Sequence, residues 1–122
     1  MASTFRCLFS IVFLALLMEG SHGCSVRDIV VGTIRSGREI DGVPEWNVVV
    51  NNHCNCTQSH IKFACIGFQT KEPVDPAILF VRYNTCLLIR GSPLAPFGTV
   101  KFSYAWDPPF LLRPSSTVVG PC

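Results

Sequence analysis

The sequence predicts an all-β fold: a small antiparallel β-sandwich of about seven short strands stapled by three disulfides. Three observations predict it. Residues 99–106 alternate strictly, with Val100, Phe102, Tyr104 and Trp106 on one side and Thr99, Lys101, Ser103 and Ala105 on the other. That period of two is what a strand needs when one face is buried and the other wet. Gly, Pro, Asn and Asp break the chain into short apolar runs, and no long stretch keeps helical spacing. Six of the 7 cysteines lie from Cys24 onward: Cys24, Cys54, Cys56, Cys65, Cys86 and Cys122. In a small exported domain an even set reads as crosslinks, with the pairing left open by sequence.

The elements follow in order. Residues 1–23 have the layout of a secretory signal: Arg6 in a polar start, an apolar run from Cys7 to Met18, then small residues at Ser21 and Gly23. Cleavage after Gly23 is expected, which removes Cys7. The apolar run is too short for a spanning helix, which needs about 20 residues. Residues 24–122 then form one domain of about a hundred residues. Strands are expected at 28–34, 46–51, 60–68, 78–82, 85–89, 99–106 and 117–119. In the third, Ile61, Phe63 and Cys65 share a side, while Lys62 and Ala64 take the other. The breakers between them are Ser36-Gly37, Asp41-Gly42-Val43-Pro44, residues 72–76, Gly91-Ser92-Pro93 and Asp107-Pro108-Pro109. Proline fixes φ and lacks a donor, so these stretches are expected outside central strands.

A small apolar interior makes the crosslinks important. Each contributes about 2–4 kcal/mol, a large share of a domain stability of about 5–15 kcal/mol. His53, Cys54, Cys56, His60 and Cys65 are dense enough in thiol and imidazole to consider zinc. Cys54 and Cys56 are one residue apart, closer than paired zinc ligands usually stand, and exported thiols are oxidised. Disulfide roles are therefore expected and no metal or other cofactor. Asn55-Cys56-Thr57 fits the N-glycosylation acceptor pattern. Trp46 and Trp106 are candidate surface contacts, as a partner anchor or a platform for sugar rings, although the parity of Trp106 with Phe102 marks a core face.

Enzyme signatures are missing from the sequence. It has no Gly-x-Ser-x-Gly elbow, phosphate-cradling glycine loop, His-Glu-x-x-His pair or Asp-x-Asp pair. Glu45 and Asp107 are the one carboxylate pair considered for glycosidase chemistry, and each reads more simply as a solvated turn residue. The net charge of +2 comes with no basic cluster, so nucleic acid is not an expected partner.

Several motifs carry a family resemblance. They are Cys24, Gly42-Val43-Pro44-Glu45-Trp46, Asn52-His53-Cys54-Asn55-Cys56, Cys65-Ile66-Gly67-Phe68, Val74-Asp75-Pro76, Cys86-Leu87-Leu88, residues 102–107, Pro114-Ser115-Ser116 and Cys122. Together they resemble the Tapetum Determinant family of small cysteine-rich secreted plant proteins, in its broader homologue branch. The resemblance implies an apoplastic signalling protein, a ligand for the ectodomain of a leucine-rich-repeat receptor kinase in anther cell-fate specification, and the missing enzyme motifs leave no catalytic activity expected. The insert Phe80-Val81-Arg82-Tyr83 and Arg90 depart from the polar residues that the family suggests there. Loops 41–45, 71–75 and 90–97 are the expected contacts, because loops carry variable side chains on a fixed scaffold. The alternatives are a cell-wall carbohydrate-binding module and a defence protein or hydrolase inhibitor.

Overall fold

A computed structural model describes residues 23–122. The expected leader falls outside the described residues, apart from Gly23. Among the described residues, seven strands form two antiparallel sheets: β1 (Ile29–Ile40), β2 (Val43–Asn52), β3 (Gln58–Ala64), β4 (Leu79–Arg82), β5 (Thr85–Leu88), β6 (Thr99–Ala105) and β7 (Arg113–Val119). The first sheet has the order β1-β2-β6 and the second β4-β5-β3-β7. Val48, Val50, Phe102 and Tyr104 from one meet Ile61, Phe63, Leu79, Cys86 and Leu88 from the other in a single core. The alternation expected in β3 and β6 is observed, with Ile61 and Phe63 fully buried and Lys62 and Lys101 exposed, except that Ala105, expected on the wet face, is fully buried.

A short 3-10 turn, Val26–Asp28, feeds β1. Ser25 Oγ accepts the Arg27 N–H at 3.2 Å and Asp28 Oδ2 accepts the Ser25 N–H at 2.8 Å, so the donors exposed at its start are satisfied locally. β1 and β2 then form a hairpin whose two-residue loop is Asp41-Gly42, both at positive φ (50° and 81°). That geometry matches the twist of the flanking strands.

Two breaker readings and one strand boundary change. Ser36-Gly37 does not end β1; the register shifts between Arg35 and Glu39, and Gly37 takes φ 92° there, so the extra residues form a bulge inside a longer strand. Pro44 lies inside β2, the central strand of its sheet. It is tolerated because β6 pairs only from Glu45↔Ala105 onward, and the Pro44 carbonyl still accepts the Trp106 N–H at 3.2 Å. Pro114 stands inside β7, which begins four residues before the expected start, and β7 is an edge strand with room for a missing donor.

The six cysteines form three pairs: Cys24–Cys54, Cys56–Cys122 and Cys65–Cys86. The first two sit at one end of the sandwich and tie both ends of the domain to the loop after β2. Cys65–Cys86 is buried in the core and joins the end of β3 to β5. Among the described residues, no helix is long and apolar enough to cross a membrane.

Candidate recognition surfaces

Three regions gather side chains with chemistry, and strand geometry sets them apart. At the start of β2, Glu45 faces away from the core yet is only 4% exposed. The loop after β3 covers it. Thr70 Oγ1 accepts the Ala105 N–H at 2.9 Å, and the Lys71 N–H donates to the Ala105 carbonyl at 2.8 Å. The loop therefore docks on the residue that pairs with Glu45 in the sheet, and it carries Glu72 to that carboxyl. Glu72 Oε2 is buried and finds no N–H or O–H donor among the described residues. A proton held between this oxygen and Glu45 would satisfy it. The hydrogen bond from Glu72, helped by Ser36 and Arg38, holds Glu45 below the usual carboxylate range, and the same bond with burial pushes Glu72 above it. Arg38 Nε stands 3.8 Å from Glu45 Oε1 on a side chain 70% exposed, a weak, screened partner.

Two expected contact loops, 41–45 and 71–75, are thus brought together, with Glu45 sealed inside rather than presented. The carboxyl partner of Glu45 is Glu72. Asp107 is exposed in the turn after β6. Two carboxyls in hydrogen-bond contact stand closer than the roughly 5 Å that glycosidase pairs require.

Trp46 and Trp106 also meet at this end. Trp46 Nε1 donates to the Trp106 carbonyl at 2.9 Å, and both rings pack against the core, half-buried. Arg35 lies over the Trp46 ring and Lys71 over the Trp106 ring, each 5.7 Å from the centroid. Cations therefore cover the ring faces that a sugar platform would use. Neighbouring Tyr104 is fully buried; its hydroxyl accepts the Phe110 N–H at 2.8 Å, and burial raises its pKa.

The opposite end is built on a pair that sequence reasoning missed. Asn52 continues the inward parity of Val48 and Val50, and with Gln58 it is completely buried. Asn52 Nδ2 donates to the carbonyls of Cys56 (2.9 Å), Leu94 (3.2 Å) and Ala95 (3.2 Å), a crowded, shared set. Its Oδ1 accepts from the Cys54 N–H (3.2 Å) and from Gln58 Nε2 (3.1 Å). One amide thus clamps the cysteine loop to the 94–95 segment. The signal was present: a polar residue at a core position of an otherwise apolar alternation.

The cysteine loop lies directly outside this clamp. The sulfurs of Cys24, Cys54 and Cys56 fall within 4.8 Å of one another, and Asn55 Oδ1 lies 3.6 Å from each. Paired sulfurs carry no proton, so these are packing contacts. Asn55 itself is exposed, while Thr57 of its acceptor pattern is tied to Pro121 and Gly120 through the backbone. Of the residues weighed for zinc, Cys65 is paired with Cys86 elsewhere, and His60 is placed beside Gly91 rather than with Cys54 and Cys56. Phe97, from the third expected contact loop, is 69% exposed and shares a shallow concavity with His53 and Asn55.

The third region is the outer face of the second sheet. Phe80, Leu87, Lys62 and Ser116 form one cross-strand row, and Arg82, Thr85, Ala64 and Arg113 the next. A concavity of about 400 Å³ opens there, lined by Lys62, Phe80, Arg82, Tyr83, Thr85 and Leu87.

Comparison with known proteins places this architecture. The family described as Tapetum determinant 1, C-terminal, matches residues 25–120. TPD1 protein homolog 1 of Arabidopsis thaliana is 32% identical over 85 residues, covering 67% of this chain and 48% of that protein. The chain thus spans about half the length of this curated relative. No solved structure matches it.

Proposed function

The chain belongs to the Tapetum determinant 1 family, and on that premise we propose that it is a secreted signalling protein, an extracellular ligand of a leucine-rich-repeat receptor kinase in plant reproductive cell-fate specification. The observation that carries this is the family match across nearly the whole described domain. In this reading residues 1–23 direct export and the domain from Cys24 acts in the apoplast, where thiols oxidise.

The fold suits recognition rather than turnover. Three crosslinks hold the strands and both ends of the domain, so a surface can dock with little ordering entropy lost. The carbohydrate-module alternative depended on Trp46 and Trp106, whose faces Arg35 and Lys71 cover. No specific contact favours the defence or inhibitor reading.

The test is direct binding of the oxidised, exported protein to a panel of plant leucine-rich-repeat receptor ectodomains, with a reduced and alkylated control. Saturable binding to an ectodomain by the oxidised form alone supports the ligand role. Absence of binding across the panel removes it.

A further inference from the structure

We propose that the outer face of the second sheet, centred on Phe80, Arg82 and Tyr83, is the surface that docks on an acidic protein partner. This rests on the receptor-ligand reading and names the contact surface within it.

The acidic residues are segregated in this fold. None of the residues in β3, β4, β5 or β7 is Asp or Glu. The outer face instead carries Lys62, Arg82 and Arg113, and their cross-strand neighbours are Leu87, Thr85, Ala64 and Ser116. The described acids lie elsewhere: Asp28 in the opening turn, Glu39, Asp41 and Glu45 in the first hairpin, Glu72 and Asp75 in the covering loop, and Asp107 after β6. No carboxylate in the sheet neutralises these cations, so the face attracts a negative partner.

Apolar groups lie among the cations. Tyr83 is 88% exposed at the tip of the β4–β5 hairpin, held there at φ 55°, and Phe80 is 47% exposed in the strand before it. Leu87, paired with both Phe80 and Lys62, floors the concavity. Exposed Tyr and Phe next to Arg form the composition that anchors protein interfaces. The same lining argues against a sugar. It offers donors from Lys62, Arg82, Thr85 and Tyr83, but no carboxylate or amide side chain to accept from sugar hydroxyls. A partner presenting carboxylates around an apolar side chain satisfies both halves of the site.

The experiment uses the full exported chain and an ectodomain that the wild type binds. Arg82→Glu with Tyr83→Ala is expected to weaken binding at least about tenfold, and Lys62→Glu to add to the loss. Lys101→Glu, exposed on the other sheet, is the charge-matched control and stays near wild type. Both altered sites are exposed, and an unchanged melting temperature establishes that each variant folds. Hydrogen exchange on the complex should protect residues 80–87. If the wild type binds no ectodomain, the ligand reading fails and this surface with it. If the wild type binds and Arg82→Glu/Tyr83→Ala binds equally well, or protection falls on 41–45 and 71–75, only the surface assignment is overturned. Retention on polygalacturonate that is lost in the same variant would identify an acidic polysaccharide as the occupant, which also overturns it.

Discussion

Trp46 donates its indole N–H to the main-chain carbonyl of Trp106 at 2.9 Å, so the two tryptophans form one structural joint between β2 and the turn that leaves β6. Trp46→Phe keeps most of the ring but leaves that carbonyl short of a donor. We expect a loss of about 1 kcal/mol, measured as a lower urea midpoint with an unchanged slope. Binding to insoluble polysaccharide should not respond.

Asn52 is the buried clamp of the cysteine end. Asn52→Ala removes the donor shared by three carbonyls and strands the Cys54 N–H and Gln58 Nε2. A loss of about 3 kcal/mol or more is expected. Thermal unfolding checks it, and hydrogen exchange should rise first in residues 53–57 and 94–98.

Disulfide mapping by mass spectrometry should return Cys24–Cys54, Cys56–Cys122 and Cys65–Cys86. The three clustered sulfurs make a Cys24–Cys56 swap the nearest competitor. Replacing Cys65 and Cys86 by Ala opens a loop of separation 21 and is expected to cost about 3 kcal/mol. It also leaves a gap in the core, because both of these cysteines are fully buried, whereas each of the other bridges has one partner at or near the surface.

The Glu45–Glu72 pair makes stability depend on pH from both sides. Glu72 is raised, so its contribution is full below the unfolded carboxyl value and is lost as pH rises through its folded value. Glu45 is lowered, so its contribution is full above the unfolded value and is lost as pH falls through its folded value. Stability should peak between the two, in mildly acidic solution, where the pair holds one proton. Glu72→Gln replaces the shared proton with a permanent donor and should flatten the alkaline side of that peak. Melting temperatures across a pH series of wild type and variant measure it; an unchanged alkaline limb would rule the shared proton out.

Much of the fold was legible in residue order. Strict alternation placed β3 and β6 and their buried faces, because a half-buried strand leaves a period of two in the sequence. Turn residues marked the break at Asp41-Gly42, which the structure makes a hairpin loop. The same turn chemistry misled at Ser36-Gly37 and Pro44, because whether a Gly or Pro ends a strand depends on which neighbour lies alongside. The surface was less legible. Of the loops expected as contacts, 41–45 folds under Glu72, while Phe97 of loop 90–97 stands exposed, and the exposed Phe80 and Tyr83 of β4 and its hairpin tip were not singled out as contacts.

The sequence by itself determined an all-β domain with six cysteines in the right place to crosslink and a family pattern running through it, since these depend on local spacing. Tertiary structure alone decided which cysteines meet, that Glu45 lies with Glu72 rather than with Asp107, and that Lys62, Arg82 and Arg113 share one acid-free face. Those relations join residues far apart in the chain, and only strand order and register bring them within reach.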